Sequence, residues 1–312
     1  MPSVLPGRVR LEVRSVGICR TDLAIWKGEL ETKLPIVLGH EIAGTIHESS
    51  DESLKVGDFA TVEVDVSCGR CWYCAHGMRH HCASRGVMGI TEDGGLSEYI
   101  TVPIENVHLL PEGVDVDAGT FAEPLASAIE AYERLPAKDS EPVLVVGSGK
   151  TALLVAQVYE AHGAMVQIAG YSARELGIAK LLGLTHVVNA KTEDWRRSVS
   201  QVNNGAAPRV VIETSGTAEG ISLALKAVRP EGFIALMSMH GPPIAIRPID
   251  IVEREIRVYG ISRGPFDKAI DMLASGRIEV KRLVSRYFTL DEGEKAFEFA
   301  SQPDVQKVIV TI

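Results

Sequence analysis

Apolar and polar residues alternate near the start of the chain, where Val9, Leu11 and Val13 are interleaved with Arg8, Arg10, Glu12 and Arg14. A period of two puts one set on each face, which predicts a strand buried on one side. Residues 59–66 predict a second strand of this kind, and Pro111-Glu112-Gly113 a turn. Residues 122–135 read as a helix that joins two domains. From Pro142 the texture changes. Residues 143–146 form a short, continuous apolar run, as a fully buried strand requires, and a glycine turn and a helix over 150–161 follow. Strands are predicted at 165–169, 186–189, 210–213 and 233–237, with helical stretches between them, and 256–261 closes the unit. Strand and helix in alternation specify a parallel sheet with helices on both faces. Beyond it, Thr289 and Glu292 predict a capping box that opens a helix ending near Ala300, and residues 307–312 predict a last strand. The layout is an α/β domain inserted within another, mostly β, domain.

Composition narrows the function. Of 312 residues 46% are hydrophobic and 23% charged, the balance of a globular chain long enough for two cores. A net charge of -9 argues against nonspecific binding to nucleic acid or anionic membranes. No apolar run has the length of a membrane span. Arg8, Arg10 and Arg14 break up the N-terminal apolar residues, so no signal-peptide core is read and a cytoplasmic location is expected. In that compartment clustered cysteines point to metal rather than to disulfides.

Four of the five cysteines form one run, C-x2-C-x2-C-x7-C, at Cys68, Cys71, Cys74 and Cys82. Four thiolates at this spacing wrap one tetrahedral zinc ion. His80 and His81 lie in the same lobe, but a site filled by sulfur leaves them no place, and they read as surface residues.

Gly147-Ser148-Gly149-Lys150-Thr151-Ala152 fits G-x-G-x-x-A directly after a predicted strand and at a helix start. Glycines there let the backbone approach a pyrophosphate, which meets the positive end of the helix. Gly149-Lys150-Thr151 also imitates the end of a phosphate-binding P-loop, but the first glycine of that motif would fall at Leu144, inside the strand. An Asp or Glu at the tip of the second strand would hold the ribose hydroxyls of NAD. Here the chain reads Gly170-Tyr171-Ser172-Ala173-Arg174 instead. Gly170 leaves room, Ser172 a hydroxyl and Arg174 a cation for a 2′-phosphate, so NADP is expected ahead of NAD.

The fifth cysteine, Cys19, precedes Arg20, Thr21 and Asp22, and a Gly39-His40-Glu41 segment follows. A catalytic zinc takes three protein ligands and keeps an open position. Cys19 and His40 suit it, with Glu41 or Glu123 as the third ligand, and Asp22 is placed to accept the other ring N–H of His40. Taken singly, Cys19 also reads as an inert core thiol and His40 as a buried, hydrogen-bonded histidine. Trp26 reads equally as a pocket wall or a packing residue.

These segments together, with Glu123-Pro124-Leu125 and Gly147-Ser148-Gly149, resemble the zinc-dependent medium-chain alcohol dehydrogenases from about Val9 to the C-terminus. The Glu-Pro-Leu segment is most similar to the polyol, threonine and glucose dehydrogenase branches. The resemblance implies a Rossmann doubly wound domain at 126–263, inserted in a GroES-like catalytic domain at 1–125 and 264–312 that carries the zinc lobe at 66–84. It implies two zinc ions, a structural one on the four-cysteine lobe and a catalytic one on Cys19, His40 and Glu123, with Glu41 close enough to exchange in. It further implies that the zinc polarises the oxygen of an alcohol or ketone substrate and that Thr21 relays the proton. Arg20, Thr214, Ser215 and Gly216 would join the glycine turn around the cofactor. A homodimer or homotetramer, paired through the strands at 233–239 and 256–261, is expected by the same resemblance.

Two departures stand out. The family often places a histidine where this chain has Ala24, so the proton must leave by another route and threonine is a less expected substrate. The N-terminal hairpin is also short, since Cys19 arrives early. A second reading remains open, a noncatalytic redox sensor that binds dinucleotide. It requires one zinc ion per chain, whereas the enzyme requires two.

Overall fold

The computed structural model describes residues 4–239 and 243–312. In chain order the first elements are β1 (Arg8–Ile18), α1 (Arg20–Trp26), β2 (Glu41–Ser49), β3 (Phe59–Val62) and β4 (Asp65–Val66). They are followed by α2 (Trp72–Ala75), β5 (Gly86–Val87), β6 (Tyr99–Pro103), β7 (Val107–Leu109), α3 (Val116–Gly119) and α4 (Ala122–Arg134). Strand and helix then alternate as β8 (Pro142–Val146), α5 (Lys150–Ala161), β9 (Met165–Gly170), α6 (Ala173–Leu181), β10 (His186–Asn189) and α7 (Trp195–Val202). The same alternation continues through β11 (Val210–Glu213), α8 (Ala218–Ala227), β12 (Phe233–Leu236), α9 (Ile249–Val252) and β13 (Arg257–Gly260). The chain ends with α10 (Phe266–Ala274), β14 (Val284–Thr289), α11 (Gly293–Ala300) and β15 (Lys307–Thr311). The stretch 59–66, read as one strand, is two, because the chain leaves the sheet between Val62 and Asp65 and β4 pairs with β5 instead.

The chain divides into two compact units, one of Met1–Glu123, Phe266–Ser275 and Val284–Ile312, the other of Pro124–Pro265 and Gly276–Leu283. The first unit is built on a sheet in the order β14-β15-β1-β2-β3-β7, with β6 also on β1. β1 is long enough to serve two partners along one side. Arg8 to Glu12 pair with β6, and Ser15 to Ile18 pair with β15. Its other side pairs with β2 throughout, so Gly17 stands opposite Glu41. The alternating residues Val9, Leu11 and Val13 are buried, as the period of two requires, and pack with Ile42, Ile46, Val62 and Val102. The terminal end of β1 therefore lies between the first residues of β2 and β15, and this is where the candidate site forms.

The second unit is a parallel sheet in the order β10-β9-β8-β11-β12-β13. Counted within the unit this is 3-2-1-4-5-6, the doubly wound arrangement with a crevice where the order reverses, between β8 and β11. Val143, Leu144, Val145 and Val146 are completely buried, which is why β8 shows no alternation.

Candidate active site

β1 ends at Ile18, and Cys19 occupies the N-cap of α1 with extended backbone. Asp22, in the first turn, accepts the backbone N–H of Cys19 at 2.8 Å and that of Gly39 at 3.2 Å. One fully buried carboxylate thus ties the start of α1 to the segment leading into β2. Gly39 has φ +94, and a Cβ there would come within 2.8 Å of Val16 Cγ1 and 2.9 Å of Leu96 Cγ. Only glycine lets the chain turn here and deliver His40 and Glu41 beside Cys19.

The third donor to Asp22 is His40 Nδ1, at 3.1 Å. Burial pushes the Asp22 carboxyl up, but His40 and the two backbone donors outweigh it and hold the group below its ordinary 3.8. An ionised carboxylate only accepts, so Nδ1 carries a proton, and the proton that a metal ion would displace is the one on Nε2. Burial likewise lowers His40, and the charges of Asp22 and Cys19 overcome this and raise it well above 6.5. One ligand atom from each of Cys19, His40 and Glu41 falls within 4.8 Å of the others. A thiolate, an imidazole nitrogen and a carboxylate at such separations are a donor set that zinc accepts.

Among the other residues singled out from the sequence, Thr21 is buried in α1, its Oγ1 3.9 Å from Cys19 Sγ. Arg20 is exposed at the start of α1. Glu123 lies in the first turn of α4, half-buried, and is not part of the Cys19–His40–Glu41 group. Trp26 is exposed on one side and packs its ring 5.6 Å from that of Phe297.

Sequence reading missed Lys307. It opens β15, and its side chain is fully out of solvent with Nζ against Glu41 Oε2, also fully buried. Burial pushes the amine down to about 7 while Cys19 and Asp22 pull the other way. The Glu41 carboxylate against Nζ favours the charged form. In the sequence, a lysine that opens an apolar strand reads as its exposed first residue.

The four-cysteine lobe is compact. All four sulfurs lie within 4.8 Å of one another, with Cys71 Sγ 3.5 Å from Cys74 Sγ and 3.8 Å from Cys82 Sγ. Sulfurs at about 2.3 Å from a tetrahedral zinc are about 3.8 Å apart, so the spacing fits the ion. Backbone N–H groups of Cys74 and Ala83 draw Cys71 down to about 6, whereas burial and the neighbouring sulfurs push Cys74 up to about 11. Four sulfurs at this distance ionise together only around a cation. The rings of His80 and His81 meet at a tilt of 51°, centroids 4.2 Å apart, outside the sulfur group.

In the second unit, Gly147 (φ +120) turns the chain from β8 towards α5, and a Cβ on it would overlap Thr214 Oγ1. Thr214 N–H and Oγ1 both donate to Val146 O, at 2.9 Å each, so the loops after β8 and β11 are laced together. Gly149 is the N-cap of α5 and offers no side chain, leaving the first N–H groups around Lys150 and Thr151 for a ligand. Gly170 ends β9, Ser172 caps α6, and Arg174 is exposed in the first turn. Two acids here also escaped the sequence reading. Glu175 accepts from Ser148 Oγ at 2.6 Å. Glu213, fully buried, accepts from Ser215 N at 2.7 Å, Gly216 N at 3.2 Å and Ser238 Oγ at 3.1 Å, which fixes the loop after β11. An acid in the first turn of a helix is ordinary, so Glu175 carried no signal.

Comparison with known proteins follows the same division. Residues 5–112 match the alcohol dehydrogenase GroES-like domain family, and residues 151–275 match the zinc-binding dehydrogenase family. The sorbitol dehydrogenase of Halalkalibacterium halodurans is 31% identical over 99% of this chain and 94% of its own length. A Sinorhizobium meliloti 1021 protein described as a zinc-binding dehydrogenase, solved with NADP, aligns at a TM-score of 0.92 and 30% identity over 100% of this chain and 94% of that one. An Escherichia coli CFT073 alcohol dehydrogenase, solved with NADH, aligns at 0.91 and 28% over the same shares, 100% and 94%. The protein belongs to the zinc-dependent medium-chain alcohol dehydrogenase family, and it is a zinc alcohol dehydrogenase.

Proposed function

We propose that this enzyme interconverts a secondary alcohol or polyol with its ketone or aldehyde, using NADP(H) in preference to NAD(H), at a centre formed by Cys19, His40 and a carboxylate. The observation that carries the reading is the convergence of Cys19, His40 and Glu41 within 4.8 Å, with Asp22 fixing the ring of His40. Zinc bound there supplies a Lewis acid that lowers the pKa of an alcohol towards neutrality. The chain's own residues do the rest. Asp22 keeps the proton on Nδ1 so that Nε2 faces the centre. Glu41 and Glu123 are the two candidates for the third ligand. Thr21, close to Cys19 Sγ, takes the hydroxyl proton as the alcohol is oxidised and the dinucleotide reduced. Ala24 offers no group to pass it on, so a bound dinucleotide, through its ribose hydroxyls, and water would have to supply the onward path.

The cofactor reading rests on the tip of β9. Gly170 presents no carboxylate, and Ser172 and Arg174 supply a hydroxyl and a cation for a 2′-phosphate. The acid one residue further, Glu175, is engaged by Ser148. Related structures carry NADP in one case and NADH in another, so the chain's own residues have to decide. Replacing Arg174 by Ala should weaken NADPH binding about tenfold and leave NADH binding alone, as read by nucleotide fluorescence. A homodimer or homotetramer is proposed through the outer edge of β13, where Val258 and Tyr259 are 42% and 37% exposed.

A panel of alcohols and polyols, assayed with both dinucleotides before and after strong chelation, tests the reading. Oxidation of a polyol or secondary alcohol that stops with loss of zinc supports it. Activity that survives complete zinc removal contradicts it.

A further inference from the structure

Glu41 and Lys307 come from the two strands that flank β1, and they meet over its backbone at Gly17. A Cβ on Gly17 would overlap both Lys307 Nζ and Glu41 Oε2. The glycine is thus the gap through which the two side chains reach each other. Phe121 closes the other side, its ring centroid 5.1 Å from Nζ. A buried ammonium is unfavourable unless a fixed anion answers it, and packing alone would be served as well by an apolar side chain of similar length. The anion that answers it is also one of the three side chains gathered at the metal centre.

We propose that Lys307 is a positioning residue that holds Glu41 against the pull of the catalytic zinc and so keeps a coordination place open for substrate. The inference rests on the proposed centre in its form with Glu123 as third ligand beside Cys19 and His40, so that Glu41 would be a fourth. Glu41 carries a single negative charge, and the ammonium and the metal compete for it. Drawn to Lys307, the carboxylate stands back. Released from it, the carboxylate becomes a full ligand and fills the place that a substrate oxygen needs. Lys307 touches neither substrate nor reacting atoms and acts only through Glu41.

The sign of one measurement separates this from a structural role. If Lys307 merely supports the fold, replacing it loosens the site and zinc escapes more easily. If it competes for Glu41, Lys307→Met makes zinc at the Cys19 site bind tighter, by about tenfold, while kcat falls. Competition with a chromophoric chelator on the intact two-zinc protein reads this, the relevant zinc being the one that Cys19→Ser lacks. Lys307→Gln, which keeps a donor but no charge, should shift affinity in the same direction and serves if the methionine variant does not fold. Lys307→Arg should bind zinc as the unaltered protein does, and Lys307→Met combined with Glu41→Gln should lose the tightening. Unchanged or weaker zinc binding in the uncharged variants, or a tightening that survives Glu41→Gln, overturns the inference. Retention of both zinc ions by Cys19→Ser overturns instead the reading of the centre itself.

Discussion

The four-cysteine lobe and the Cys19 centre both gather metal-ligating side chains, and they do so by opposite means. The lobe draws all four of its sulfurs from residues 68–82, so a short loop gathers them whatever the rest of the chain does. The Cys19 centre gathers Cys19, His40 and Glu41 from the end of β1 and the start of β2, which only the pairing of those strands brings together. The lobe is complete in sulfur, with no place for a further ligand. The Cys19 centre holds mixed donors, one of them already shared with a buried lysine, and a carboxylate that orients its histidine. A closed set suits a structural ion. An adjustable one suits chemistry.

If that contrast is right, damage to each region should show in a different quantity. The largest effect is expected from Cys19→Ser, which should lower kcat/KM by about a thousandfold or more by removing one Lewis acid, with little change in the unfolding midpoint. Paired metal analysis and kinetics check it. Cys71→Ser should do the reverse, removing the other zinc, opening residues 66–84 to limited proteolysis and lowering the unfolding midpoint by roughly 5–10 °C. Activity per folded molecule should persist. Asp22→Asn should weaken zinc at the Cys19 site by about 10–100-fold and leave the lobe's zinc alone, which chelator titration resolves.

The smallest effect concerns His108, which belongs to neither region. Its Nδ1 donates to Asp267 at 2.8 Å, and Nε2 lies 3.4 Å from Glu63. Burial lowers it, but the two carboxylates outweigh burial and raise it above 6.5. A raised folded value contributes stability in full below 6.5, and this is lost as pH rises through the folded value. Because Asp267 is largely exposed, the amount is below about 1 kcal/mol. Urea unfolding of His108→Gln across that range should lack this pH-dependent increment, with both zinc ions retained.

The same contrast explains what was legible. The lobe and the glycine turn could be read because their residues are close in sequence and their chemistry is local. The alternation in β1 and the unbroken apolar run of β8 reported strand burial directly. Donor chemistry made Cys19 and His40 candidates, but only the resemblance set aside their reading as core residues, since nothing in their spacing says that β1 and β2 pair. Lys307 was invisible because its burial depends on an absent side chain, that of Gly17, on a strand nearly three hundred residues earlier. Glu175 and Glu213 were missed for a related reason. An acid at a helix start or strand end is unremarkable until the loop it holds is seen.

The central claim is most directly tested by anomalous scattering at the zinc edge from crystals of the protein. The account predicts two peaks per chain, one among the sulfurs of Cys68, Cys71, Cys74 and Cys82 and one shared by Cys19 Sγ and His40 Nε2. A single peak, confined to the lobe in crystals grown with zinc in excess, would contradict it.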